Sequence, residues 1–283
     1  MFSQFTSDSS FRKPAPGLEV LEIHPSKARA IRETPIVMVH GAFVGAWCWQ
    51  PHFMRYFADQ GFSCVAPSLR GHGNSEIAGP LDYAGIREYV ADLSSVIADL
   101  SGPPPVLIGH SMGALVVQRY LEAHAASAAV LMAPVPRHGL MASTWRLAVS
   151  DPMLFAQFGL MQAWGRPAVD KALARRAVFS QRLPESELEQ YTQAVERESQ
   201  RALWEMNVHA AGRPWLADSQ VPMRVVAAAE DALFTPQETK DVAHLWDASW
   251  VEIAKTGHAM MLEPYWQSAA DDVIRWLWSC GIR

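Results

Sequence analysis

At 283 residues, 49% hydrophobic and 19% charged, the chain has the size and balance of one large or two small globular domains, which excludes a disordered or collagen-like polymer. Lys and Arg number 24 against 29 Asp and Glu, a net charge of −5. The basic face of a nucleic-acid binder is therefore not expected, nor attraction to an anionic membrane. Cys48, Cys64 and Cys280 are scattered and form no CxxC pair, so neither a disulfide framework nor a zinc site is indicated. No run of about 18 apolar residues is present to span a membrane. The polar, Ser-rich opening lacks the apolar core of a signal peptide, and a cytoplasmic, reducing-compartment protein is expected.

Short apolar runs alternate with helical patterns, the rhythm of strand–helix units around a mostly parallel sheet. Ile36 to Val39 ends at His40-Gly41, Phe62 to Ala66 at Pro67, Val106 to Ile108 at Gly109, and Ala128 to Met132 before Pro134. Each is brief and bounded by Gly or Pro, as strands buried on both faces should be. Tyr83 to Leu100 and Met112 to Ala125 have helical length and spacing. From Val135 to Trp215 no strand-like run occurs. The segment reads as helices, with Leu188, Tyr191, Val195 and Ala202 at turn spacing, and it holds Trp145, Trp164, Trp204 and Trp215, four of the eleven tryptophans. Strand patterns return at Val225 to Ala227 and Trp250 to Ile253, with a helix around Gln237 to Leu245 between them. A final helix places Ala270, Val273, Ile274 and Leu277 on one face.

Gly109-His110-Ser111-Met112-Gly113 fits G-x-S-x-G, and it follows an apolar strand and opens a helix. A serine on such a sharp turn is forced into an unusual backbone conformation with its oxygen standing free, and the glycines relieve the crowding. The helix N-terminus behind it offers unpaired N–H groups to a developing negative charge. A serine hydroxyl needs a base, and the base needs an orienting group. The order Ser…Asp/Glu…His is met by Asp231 after the Val225 strand and His258 after the Trp250 strand, both at strand C-terminal ends. Glu230 also follows that strand, but adjacent residues point in different directions. His40, His72 and His110 lie beside motif glycines and read as hydrogen-bonded scaffolding. No HExxH or phosphate-cradle spacing is present, so no metal or other cofactor is expected.

Together the stretches VHGAFVGAWCW, APSLRGHGNS, IGHSMGA, AEDALFTP and GHAMMLEP resemble the α/β-hydrolase superfamily from about residue 16 onward. The resemblance implies an α/β fold: an eight-stranded, mostly parallel sheet flanked by helices, with a helical cap inserted after the sixth strand. The hydrolase core would then comprise residues 16–134 and 216–283, and the cap 135–215. It implies Ser111 as nucleophile, His258 as base and Asp231 as acid, with the Ala42 and Met112 backbone N–H groups as the oxyanion hole. One departure stands out: many relatives carry Asp where this chain has Ser68, a residue that braces a loop.

The expected function is hydrolysis of small to medium apolar carboxylic esters through an acyl-enzyme. Phe43, Trp47, Met153, Met161 and Trp164 are the expected pocket residues. Trp47 and Trp49 have two readings, lining the entrance or packing beneath the loop. The same triad serves thioesters, lactones, cofactor-free perhydrolysis and C–C bonds beside a ketone, and fold analogy does not choose among them. Dehalogenase and epoxide-hydrolase relatives use an Asp nucleophile, against which Ser111 argues. Lyases with a similar HG loop carry Lys after the His, where this chain has Ala259. A ligand receptor with little turnover is the reading of another class, and retention of both His and acid counts against it.

Overall fold

The structure is a computed structural model that describes residues 9–12, 17–25, 31–164, 171–208, 212–218 and 220–283. One sheet carries β1 (Ser9–Arg12), β2 (Val20–Ile23), β3 (Ile36–Val39), β4 (Cys64–Pro67), β5 (Val106–His110), β6 (Ala128–Met132), β7 (Met223–Ala228) and β8 (Ser249–Ile253). Their order is β1-β2-β4-β3-β5-β6-β7-β8. β2 pairs antiparallel with β1 and β4, and every later pairing is parallel. The seven strands β2 to β8 form the body, and β1 adds an outer edge in the polar opening where the sequence shows no strand pattern.

The central strands are buried on both faces because helices cover both sides of a parallel sheet. Side chains alternate accordingly. Ile36, Met38, Ile108 and Val130 pack with α1 (Phe53–Asp59) and α10 (Trp266–Ser279). Val37, Val39, Leu107 and Leu131 pack with α2 (Ile86–Ala98), α3 (Met112–Leu121) and α9 (Pro236–Leu245). α10 turns Ala269, Ala270, Val273, Ile274 and Leu277 inward, a stripe at helical spacing that includes the face read from the sequence.

Between β6 and β7 the described chain contains no strand but five helices: α4 (Met141–Ser150), α5 (Pro152–Trp164), α6 (Lys171–Ala177), α7 (Glu185–Gln193) and α8 (Gln200–Val208). Of the turn-spaced set, Leu188 and Tyr191 lie in α7, Ala202 in α8, and Val195 between the two. α7 and α8 are separated by a short strap, residues 194–199, whose role emerges below.

Candidate active site

Ser111 sits at the junction of β5 and α3 with φ 52 and ψ −116, a left-handed conformation that a non-glycine residue adopts only when its surroundings impose it. Gly109 and Gly113 make that turn possible. A Cβ on Gly109 would lie 2.5 Å from the Gly113 carbonyl oxygen, and one on Gly113 would lie 2.3 Å from that of Val39.

Asp231 leaves the end of β7 and His258 the loop after β8. His258 Nδ1 donates to Asp231 Oδ2 at 2.8 Å, while Oδ1 accepts the N–H groups of Leu233 (2.8 Å) and Phe234 (3.0 Å). The acceptor-only carboxylate fixes the proton on Nδ1 and leaves the Nε2 lone pair free. Glu230 points elsewhere, accepting from Gln181 Nε2 at 3.0 Å. Ser111 and His258 line one cavity, with no direct hydrogen bond between their side chains.

That cavity measures about 560 Å³, within the range of small-molecule sites. Its floor is Ala42, Phe43, Trp47 and Ser111. α4 to α8 supply Leu147, Phe155, Leu173 and Met206 to its walls, and Phe179 and Tyr191 also face it. The lining is overwhelmingly apolar. Ala42 N–H donates to no described residue.

Of the expected pocket residues, Phe43 and Trp47 line the cavity. Trp47 stacks on Tyr191 at 5.9 Å, whereas the buried Trp49 packs on Phe53 at 5.6 Å. Each tryptophan thus follows one of the two readings. Met153 is a correction: it is 63% exposed and does not line the cavity, to which α5 contributes Phe155, Ala156 and Gly159 instead. Likewise Trp145 and Trp215 are 74% and 73% exposed and lie outside it. The side chains of Met161 and Trp164 lie outside the described residues.

The motif histidines are held in contrasting states. His40 Nδ1 donates to the Gly41 carbonyl at 2.8 Å and Nε2 accepts the Leu69 N–H at 2.9 Å, so both nitrogens are used by the neutral ring. Burial, and then neighbouring His72, lower its pKa to about 3. His110 Nε2 donates to the His258 carbonyl at 2.9 Å. His72 faces two acceptors, the Arg70 carbonyl (3.3 Å) and Glu198 Oε2 (3.1 Å). Burial opposes its charge, yet the Glu198 carboxylate prevails and holds its pKa above the ordinary value.

Three residues that sequence reasoning missed are buried or half-buried carboxylates. Glu198 and Glu263 are buried, and Glu238 joins Arg146 of α4 to the start of α9 through bonds of 2.8 and 3.0 Å. Where relatives carry Asp, Ser68 is buried. Its Oγ accepts the Ala46 N–H at 2.9 Å and donates to Glu19 Oε2 at 2.6 Å, so a carboxylate reaches this loop from the start of the neighbouring strand β2. Among the described residues no three His, Cys, Asp or Glu converge as a metal site. No described helix is long and apolar enough to cross a membrane.

The sequence model of the alpha/beta hydrolase family matches residues 36–275. The chain belongs to the alpha/beta hydrolase family. Epoxide hydrolase A of Mycobacterium tuberculosis is 32% identical over 106 residues, which are 36% of this chain and 33% of that protein. A non-heme chloroperoxidase of Kitasatospora aureofaciens is 30% identical over 106 residues, 36% of this chain and 37% of that one. The similarity thus spans about a third of the length of these relatives. A thermophilic esterase from Thermogutta terrifontis superposes with a TM-score of 0.72 at 18% identity, over 96% of this chain and 98% of that one. An esterase from Exiguobacterium antarcticum does so with 0.73 at 15%, over 95% and 98%. These likenesses to hydrolase structures are likenesses of fold.

Proposed function

We propose that the protein is a serine hydrolase acting on carboxylic esters of small to medium apolar substrates. The observation that carries this is the strained Ser111 facing the same apolar cavity as a His258 whose tautomer Asp231 fixes. Ser111 Oγ attacks the acyl carbonyl while His258 Nε2 takes its proton. The backbone N–H groups of Ala42 and Met112 receive the oxyanion, a contribution of about 3 kcal/mol per donor. The imidazolium then protonates the leaving alcohol, and water activated by His258 releases the acid. Binding the proton-relay partners closer on substrate entry is ordinary for such sites. The reaction as written calls for no metal or organic cofactor.

The relatives' names cover epoxide hydrolases, haloperoxidases and esterases. Serine, rather than aspartate, at position 111 favours acyl transfer over epoxide opening. A p-nitrophenyl alkylphosphonate should label the wild type at Ser111 alone, and Ser111→Ala should lose both labelling and ester turnover with its thermal midpoint almost unmoved. Labelling at Ser68 or Ser75, or full turnover by Ser111→Ala, would overturn the reading.

A further inference from the structure

The strap between α7 and α8 reaches back to the loop behind Ser111. Phe43, next to Ala42, has φ 67, a left-handed conformation that a bulky residue keeps only when its surroundings impose it. Its two backbone polar groups are both taken by the strap. The Phe43 carbonyl accepts the Glu196 N–H at 2.8 Å, and the Phe43 N–H points to Glu198 Oε2 at 3.4 Å. Glu196 Oε2 also accepts the Gly73 N–H at 2.9 Å.

Glu198 is itself fixed from several sides. Besides Phe43, it accepts His72 Nε2 (3.1 Å), Tyr89 Oη (2.6 Å) and the Ser199 N–H (2.7 Å), and both side chains of the Glu198–His72 pair are fully buried. Nothing in acyl transfer itself calls for a charged pair at this place. A fully buried carboxylate is costly unless its whole shell is satisfied, and this shell includes the N–H of the peptide that follows Ala42.

Resting on the serine-hydrolase reading, we infer that Glu198 is a positioning residue for the reaction: by holding the N–H of the Ala42–Phe43 peptide, it fixes Ala42 and with it the aim of the Ala42 N–H at the oxyanion. The helical cover then completes the site as well as walling it. Loosening the lock displaces one oxyanion donor, whose outright loss costs about 10²- to 10³-fold in kcat.

The test compares wild type, Glu198→Gln, Tyr89→Phe and Arg197→Ala on one p-nitrophenyl acyl ester, below each variant's thermal midpoint. Arg197 lies in the same strap but is exposed and faces Asp82 at 3.4 Å, so it controls for general damage to the segment. Glu198→Gln should lower kcat about 10- to 100-fold with KM within about twofold, as expected for a donor moved rather than deleted. Affinity for an aryl trifluoromethyl ketone, whose adduct carries the oxyanion, should fall by the same factor. Tyr89→Phe, which keeps the ring and the charge, should fall between, and Arg197→Ala should match wild type. Unchanged kcat in Glu198→Gln, or a rise in KM alone, overturns the inference while phosphonate labelling of Ser111 stands. If Ser111 is not labelled in the wild type, both fail together.

Discussion

The sheet and its helical cover balance apolar burial and polar contact differently. β3, β5 and β6 are buried along their whole length, and their side chains feed two large apolar clusters, one on each face. The cover has only a small cluster of its own, Leu154, Leu173 and Ala177, and leaves Met141, Trp145, Val149 and Met153 exposed, while Phe179, Leu188, Tyr191, Leu203 and Met206 join the two core clusters. Polar bonds of specific geometry add to that apolar contact. Glu198 reaches the loop at Phe43. Core residue Glu263 accepts the N–H groups of Ser180 and Gln181 together with that of Gly257, beside His258. Arg146 bonds the Leu233 carbonyl at 2.7 Å, two residues beyond Asp231. Each strap lands on a loop bearing a residue of the proposed site. The core is held by apolar burial on both faces; the cover shares that burial along its inner side and adds charge and backbone hydrogen bonds at the loops of the proposed site.

The contrast can be broken most sharply from the core side. Asp231→Asn removes the charged partner of His258 and favours the wrong tautomer, so kcat should fall by up to about 10⁴-fold with the fold retained. Glu230→Gln, beside it, should change kcat little. The reverse order of damage in ester assays would place the acid one residue earlier. In stability, Ile108→Ala in β5 should cost about 2–5 kcal/mol, the range for a well-packed core. Leu154→Ala on the cover should cost less, because few neighbours surround the gap it leaves. Denaturant midpoints for the pair would refute the division if the two losses were equal.

A cover substitution that narrows the cavity should change selectivity before rate. With apolar walls, each buried methylene of the acyl chain contributes up to about 0.8 kcal/mol, close to fourfold in kcat/KM. The wild type should therefore improve from acetyl to medium-length or aromatic esters and then decline. Leu147→Trp should shift that optimum to shorter chains while acetyl turnover stays nearly constant. A flat wild-type profile would mean that the walls do not contact the acyl group.

The smallest effect is in pH. With a raised pKa, His72 stabilises the fold fully below its ordinary 6.5 and loses that contribution as pH rises through its folded value. Glu198, held low by His72, Tyr89 and the Ser199 N–H against burial, stabilises above its ordinary 4.5 and loses that contribution as pH falls. Tyr89 and Glu196 face the pair, and neutral His40 lies 5.1 Å from the His72 ring. The thermal midpoint of wild type relative to Glu198→Gln should thus be greatest between about pH 4.5 and 6.5 and shrink toward pH 9, by about 2–4 °C per kcal/mol lost. A gap independent of pH would show that the pair is not charged.

The alternation of strands and helices was legible because the buried strands are short, apolar and bounded by Gly or Pro, and Ser111, Asp231 and His258 follow from motif and order. β1 was not, because its pairing with β2 is decided by backbone bonds rather than by apolar pattern. The cavity walls were legible only as a composition. Periodicity shows that α5 is apolar but not which side faces in, so Met153 was expected where Phe155 stands. Glu198 and Glu263 were invisible for a different reason. Their partners lie far away in sequence, and an isolated Glu reads as a solvated one.

The bond between Ser68 and Glu19 has a consequence for how this chain tolerates change. The carboxylate on this loop enters from β2's side, so positions 19 and 68 are coupled. Ser68→Asp alone would set a second carboxylate against that of Glu19, and Glu19→Ala alone would strip the acceptor from Ser68 Oγ and from Asn74. The double change restores one carboxylate to the loop and removes the conflict, so the path between the two arrangements runs through a valley that neither single step avoids.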